Sequence, residues 1–135
     1  DEVIDAYDAD AWVLAGHSLG GSMAGRYATK RDVDGLVLWA SYLASGDDLA
    51  DSGLPVLSLV GTEDQVLDRE TYEERKALLP GDLEESWIEG GNHAGFGTYG
   101  AQKGDGDASI TAAEQQAITV DAMESWLFQH FGSVR

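Results

Sequence analysis

Three short stretches of this chain carry residues that together can do chemistry. They are the serine in Gly16-His17-Ser18-Leu19-Gly20-Gly21, the carboxylate in Gly61-Thr62-Glu63-Asp64 and the histidine in Gly90-Gly91-Asn92-His93. A serine hydroxyl is a weak nucleophile until a base takes its proton. Imidazole is such a base near neutral pH, and a carboxylate fixes its tautomer and stabilises its cation. Serine, acid and histidine in that chain order, with the serine at the centre of G-x-S-x-G, point to nucleophilic attack on a carbonyl.

The pattern makes structural demands. Ala11 to Ala15 is apolar on both faces and reads as a strand covered by helices on each side, and Ser22 to Lys30 reads as a helix, so Ser18 sits at a sharp strand-to-helix turn. Gly16 and Gly20 are expected to remove side chains that would collide across that turn. The turn lifts the serine oxygen beside the helix N-terminus, where the backbone N–H of Leu19 can donate to a developing oxyanion. Of the three histidines, His17 adjoins Ser18 and points away from it, and His130 lies near the end of the last helix. His93 alone sits at a strand end, which makes it the expected base. Glu63, Asp64 and Asp68 compete for the acid. Asp64 is favoured because a short side chain just past a strand is held more rigidly. The plainer alternative is a tight turn with a structural serine and a loop histidine.

These residues need a scaffold of strands whose ends lie side by side. Leu36 to Ala40 and Pro55 to Val60 are continuous apolar runs, as expected for buried parallel strands, and a further strand is expected near Ser86 to Glu89. Helices are expected over Asp1 to Asp8, Arg69 to Leu79 and Thr111 to Phe131. The last opens with the capping box Thr111-x-x-Glu114 and uses Ile118, Met123, Trp126, Leu127 and Phe131 as its apolar side. Gly90 to Gly106 is too glycine-rich for regular structure. Strands alternating with helices define the α/β class: a parallel sheet of about four strands with helices on both faces, in a single domain over 1–135. Ligands of such sheets bind beyond the carboxyl ends of the strands, where all three stretches fall. Trp39, Tyr42, Phe96, Tyr99 and His17 are candidate pocket walls, with core packing as the plainer role for the aromatics.

Composition excludes several functions. With 25 acidic against 8 basic residues, the formal charge is −17, distributed along the chain, and it repels nucleic acid and anionic membranes. There is no cysteine, hence no disulfide or thiolate metal site. No apolar run approaches the roughly 20 residues that span a bilayer, and no signal-peptide pattern opens the chain. A cytoplasmic chain with no cofactor and no metal is expected. Asp105-Gly106-Asp107 is a weak candidate for a cation site that fails the EF-hand spacing.

The serine turn, Val60-Gly61-Thr62-Glu63-Asp64, and above all Glu89-Gly90-Gly91-Asn92-His93-Ala94-Gly95-Phe96-Gly97-Thr98-Tyr99-Gly100 with Gly104-Asp105-Gly106 and Glu114-Gln115-Gln116 resemble the C-terminal half of small α/β-hydrolases akin to the dienelactone hydrolases. The resemblance covers nearly the whole chain. It implies Ser18 as nucleophile, Asp64 as acid and His93 as base, acting on small carboxylic esters or lactones. It also implies that the family's first strands, and the loop that supplies a second oxyanion donor, are missing here. A non-catalytic interaction domain that keeps the hydrolase fold is the alternative.

A strand left at the sheet edge invites pairing. A homo-oligomer, or a missing N-terminal segment covering that edge, is therefore expected, and a monodisperse monomer at micromolar concentration would contradict the oligomer. The acidity fits either a salt-adapted source or an ordinary acidic protein. Self-repulsion screened by salt predicts a melting temperature that rises from low salt to molar KCl, and a flat response would contradict salt adaptation.

Overall fold

The computed structural model describes residues 2–132. In chain order the elements are α1 (Glu2–Ala6), β1 (Val13–His17), α2 (Leu19–Ala28), β2 (Gly35–Trp39), β3 (Val56–Gly61), α3 (Arg69–Arg75), β4 (Glu84–Ile88) and α4 (Ala112–Phe131). Single 3-10 turns follow α3 at Lys76–Leu78 and interrupt the glycine-rich loop at Ala94–Phe96. The four strands form one parallel sheet in the order β1-β2-β3-β4, as the α/β reading requires. The register pairs His17 with Trp39 and Gly61 with Ile88, so the carboxyl ends of all four strands lie level along one rim.

The apolar runs are explained by two covered faces. Leu36 and Leu38 of β2 point to one side, where they pack with Leu43, Leu54 and Val56 against Ala24 and Ala28 of α2. Val37 points to the other, with Leu57, Leu59, Ile88 and the fully buried Trp126 of α4. No helix among the described residues is long and apolar enough to cross a membrane.

Several boundaries move. β1 begins two residues later than expected, because Trp12 is tied outside the ladder: its N–H donates to the Asp34 side chain and its carbonyl accepts from the Asp34 N–H. β1 is only half-buried, with Ala15 exposed, rather than covered on both faces, since among the described residues it has a strand neighbour on one side alone. α2 starts directly after the serine and closes at Thr29, so Lys30 and Arg31 lie beyond its last turn. Its buried positions are Gly21 and Gly25, with Ala24 and Ala28 packed beside them, while Met23 is exposed. Gly25 lets the backbone approach Leu43, whose Cδ2 would stand 2.1 Å from an added Cβ. In α4 the capping box forms as expected, but the inward stripe includes the polar Gln115 and Thr119, and Ile118 is exposed. α3 ends at Arg75, short of the expected Leu79.

Candidate active site

β1 ends at His17 and α2 begins at Leu19, so Ser18 alone makes the reversal. Its backbone sits at φ 55°, ψ −124°, a conformation that side chains rarely adopt and that surrounding structure must hold. Four hydrogen bonds hold it. The Ser18 N–H donates to the Trp39 carbonyl at 2.9 Å, and the Ser18 carbonyl accepts from Gly21 N (3.0 Å), Ser22 N (3.3 Å) and the buried Ser41 hydroxyl (2.6 Å). The Leu19 N–H, at the first position of α2, has no intrahelical partner and is free by geometry to face an anion.

Of the two glycines expected to clear the turn, only Gly16 does so: a Cβ there would lie 2.4 Å from the Gly20 backbone. A Cβ at Gly20 meets nothing within 4 Å, which corrects that expectation. The crowded position is Gly21, where a Cβ would fall 2.4 Å from Ser41 Oγ and 2.9 Å from the Gly16 carbonyl.

Of the three competing carboxylates, Asp64 is the one that reaches His93. Its Oδ2 lies 2.8 Å from His93 Nδ1, with both side chains almost wholly removed from solvent. The other oxygen, Oδ1, accepts the N–H groups of Val66 (2.9 Å) and Leu67 (2.8 Å). Burial alone would raise the Asp64 pKa. The His93 hydrogen bond and the two backbone donors outweigh it, and the carboxyl is held below its ordinary range. An ionised carboxylate only accepts, so Nδ1 carries the proton and Nε2 is left as the basic nitrogen. Asp68 instead caps α3, accepting the Thr71 N–H.

Ser18 and His93 line one cavity of about 390 Å³, together with Leu19, Met23, Tyr42 and Leu67. Of the expected pocket aromatics, Tyr42 alone lines it. The His17 ring packs against His93 (4.6 Å between centroids), Phe96 (5.8 Å) and Tyr99 (6.1 Å), and Trp39 stacks on Phe96. His17 meets the base, Phe96 and Tyr99 back the His17 ring and Trp39 backs Phe96, so the four lie off the serine cavity. Burial, and next the neighbouring His93, push the His17 pKa down, which favours a neutral ring beside the base. A larger cavity of about 480 Å³ lies between the histidine loop and the start of α4 and touches neither Ser18, Asp64 nor His93.

Sequence reasoning missed the residues that fix the histidine loop. The fully buried Gln115 accepts the Asn92 N–H (3.0 Å) and donates to the Asn92 carbonyl (2.8 Å). Gly91 and Gly95 are required there, since a Cβ at either would run into the Gln115 amide. Gln116 donates to the Gly97 carbonyl, and the Asn92 side chain spans Gly95 N and Gly106 O. Asp105 spends its carboxylate on backbone N–H groups, including those of His93 and Ala94. Among the described residues no cluster of three or more His, Asp or Glu side chains could hold a metal ion. The signal was present in the quoted Gly104-Asp105-Gly106 and Glu114-Gln115-Gln116, but nothing in spacing alone says what they touch.

The model of the alpha/beta hydrolase family matches residues 1–117. The chain belongs to that family. No curated protein sequence matches the chain. Among solved structures, it is similar to a predicted CIB-like hydrolase from Thermoplasma acidophilum (22% identity, TM-score 0.59, 84% of this chain and 50% of that one). It is also similar to an alpha-beta serine hydrolase homologue from Coxiella burnetii (19%, 0.66, 90% and 53%). A third is the esterase domain of a Rhodothermus marinus protein (12%, 0.70, 96% and 65%). These hydrolases share the fold, and the chain spans between half and two thirds of their length.

The two helix-start glycines make opposite predictions. In urea unfolding, Gly20→Ala should be neutral or stabilise by up to about 1 kcal/mol, whereas Gly21→Ala should cost about 1–3 kcal/mol through overpacking against Ser41. Equal effects would contradict the assignment of the tight contact to Gly21.

Proposed function

We propose that the chain is the nucleophile-bearing part of a serine hydrolase that cleaves small carboxylic esters or lactones. The observation that carries this reading is the buried 2.8 Å tie of Asp64 to His93, on a histidine that shares a cavity with the strained Ser18. In the proposed cycle His93 Nε2 takes the Ser18 proton as Oγ attacks the substrate carbonyl. The Leu19 N–H donates to the oxyanion, and Asp64 stabilises the imidazolium. The imidazolium then protonates the leaving alcohol, and water, activated by the same nitrogen, releases the acid.

The substrate class is supported by the cavity and the charge. Met23, Val66 and Leu67 offer apolar contact to a small acyl or alcohol group. Asp68 at the same cavity and the net charge of −17 disfavour anionic substrates. The esterase domain named above agrees with the ester class, and the serine hydrolase homologue with a serine nucleophile. The free edge of β1 adjoins the serine turn, and the reading includes a strand paired there, from a second copy of the chain or from an N-terminal segment, that brings the second oxyanion donor.

Hydrolysis of p-nitrophenyl acetate tests the reading. Ser18→Ala should lose about a thousandfold or more of kcat. Equal rates for the two proteins would reject the triad and leave a non-catalytic domain on a hydrolase fold.

A further inference from the structure

We propose that Asp105 is a positioning residue for His93: a second, partly buried loop carboxylate that clamps the histidine loop to the acid loop and so sets the Asp64–His93 hydrogen bond. The proposal deepens the serine hydrolase reading and rests on it.

The clamp is built from backbone. Asp105 Oδ2 accepts the Ala94 N–H at 2.8 Å, while Oδ1 accepts those of Gly106 (2.9 Å), His93 (3.2 Å) and Gln65 (3.4 Å). The four donors come from three segments: the acid loop one residue past Asp64, the base and its successor, and the loop carrying Asp105. His93 stands at the N-cap of the 3-10 turn Ala94–Phe96 and supplies no side-chain cap of its own. Asp105 caps that turn from a distance of 11 residues in sequence. A carboxylate at the head of a turn, receiving several N–H donors, makes charge-assisted bonds stronger than those of a neutral acceptor.

The loop that carries Asp105 is itself pressed against the acid loop. A Cβ at Gly106 would fall 1.9 Å from the Glu63 carbonyl and 3.0 Å from the Gln65 side chain, so only glycine lets the two backbones meet. The Gly106 carbonyl accepts the Asn92 side chain from the other direction at 2.9 Å. Segments 63–65, 92–94 and 104–106 are therefore one assembly, with the Asp105 carboxylate at the shared point. Asp105 has no role in proton transfer, because its bonds go to amides and not to the imidazole. Removing it leaves amide donors without an acceptor and frees the base to shift. A displacement of about 1 Å is enough to cost about a hundredfold in rate.

The test compares Asp105→Asn and Asp105→Ala with the wild type by two readings. In p-nitrophenyl acetate hydrolysis, kcat should fall about 10- to 100-fold with KM within about twofold. The alanine variant should be worse, since asparagine keeps one carbonyl oxygen. In proton NMR, the low-field resonance of the His93 Nδ1 proton held by Asp64 should be sharp in the wild type and broadened by water exchange in Asp105→Ala. If that variant does not fold, Asp105→Asn decides by the same readings. An unchanged kcat, or an unchanged resonance in a folded variant, overturns the proposal. If wild type and Ser18→Ala turn over equally, the hydrolase reading fails, and the resonance alone still judges the clamp.

Discussion

A carboxylate withdrawn from water must be satisfied on every lone pair it needs, and the site is arranged around that requirement at Asp64. Two donors come from the backbone just beyond β3, at Val66 and Leu67, and the third from His93 Nδ1. With the backbone donors fixed by the loop, the position of the imidazole follows from the position of the acid. The polar group that is costly to bury thus becomes the device that orients the base. Replacing Asp64 leaves the buried His93 Nδ1–H without its acceptor, and replacing His93 leaves Asp64 Oδ2 without its donor, so the pair behaves as one unit.

That unit depends on the parallel sheet. Because β1, β2, β3 and β4 are adjacent and in register, the loops after β1, β3 and β4 emerge along one rim, where Asp64 meets His93 and Ser18 shares a cavity with His93 without long excursions of chain. Close approach then does the finer positioning. Gly61 lies against the Gly91 backbone, where a Cβ would come within 2.3 Å of the carbonyl, and Glu63 N donates to that same carbonyl at 2.8 Å. Gly91 and Gly95 in turn make room for Gln115 of α4. The glycine content of the histidine loop therefore reflects tight packing more than conformational freedom.

How much of this was legible in the sequence follows from what each feature depends on. The strands, their parallel order and the helix cap at Thr111 are written in local apolar runs and short-range hydrogen-bonding residues, and they stand close to where the sequence puts them. Asp64 and His93 were legible because their residue types, at strand ends, admit few alternatives. Gly20 and Gly21 were not separable, since which of them faces Ser41 depends on the start of α2, which fell one turn earlier than periodicity indicated. The pocket aromatics were misread for a related reason. His17 follows the strand pleat onto the His93 ring, with Phe96 packed on His17 and Trp39 on Phe96, all away from the serine cavity, and no spacing rule reports that direction. Asp105 was unreadable as anything but a polar loop residue, because its partners are backbone amides from segments up to 40 residues away.

The central claim is that Ser18 is made nucleophilic by His93, and covalent capture tests it most directly. A fluorophosphonate esterifies an activated serine with loss of fluoride, and peptide mass spectrometry locates the adduct. The account predicts one adduct per chain, on Ser18, abolished by Ser18→Ala and strongly slowed by His93→Ala. No adduct on Ser18, or labelling of Ser18 that proceeds at the same rate in His93→Ala, would contradict it.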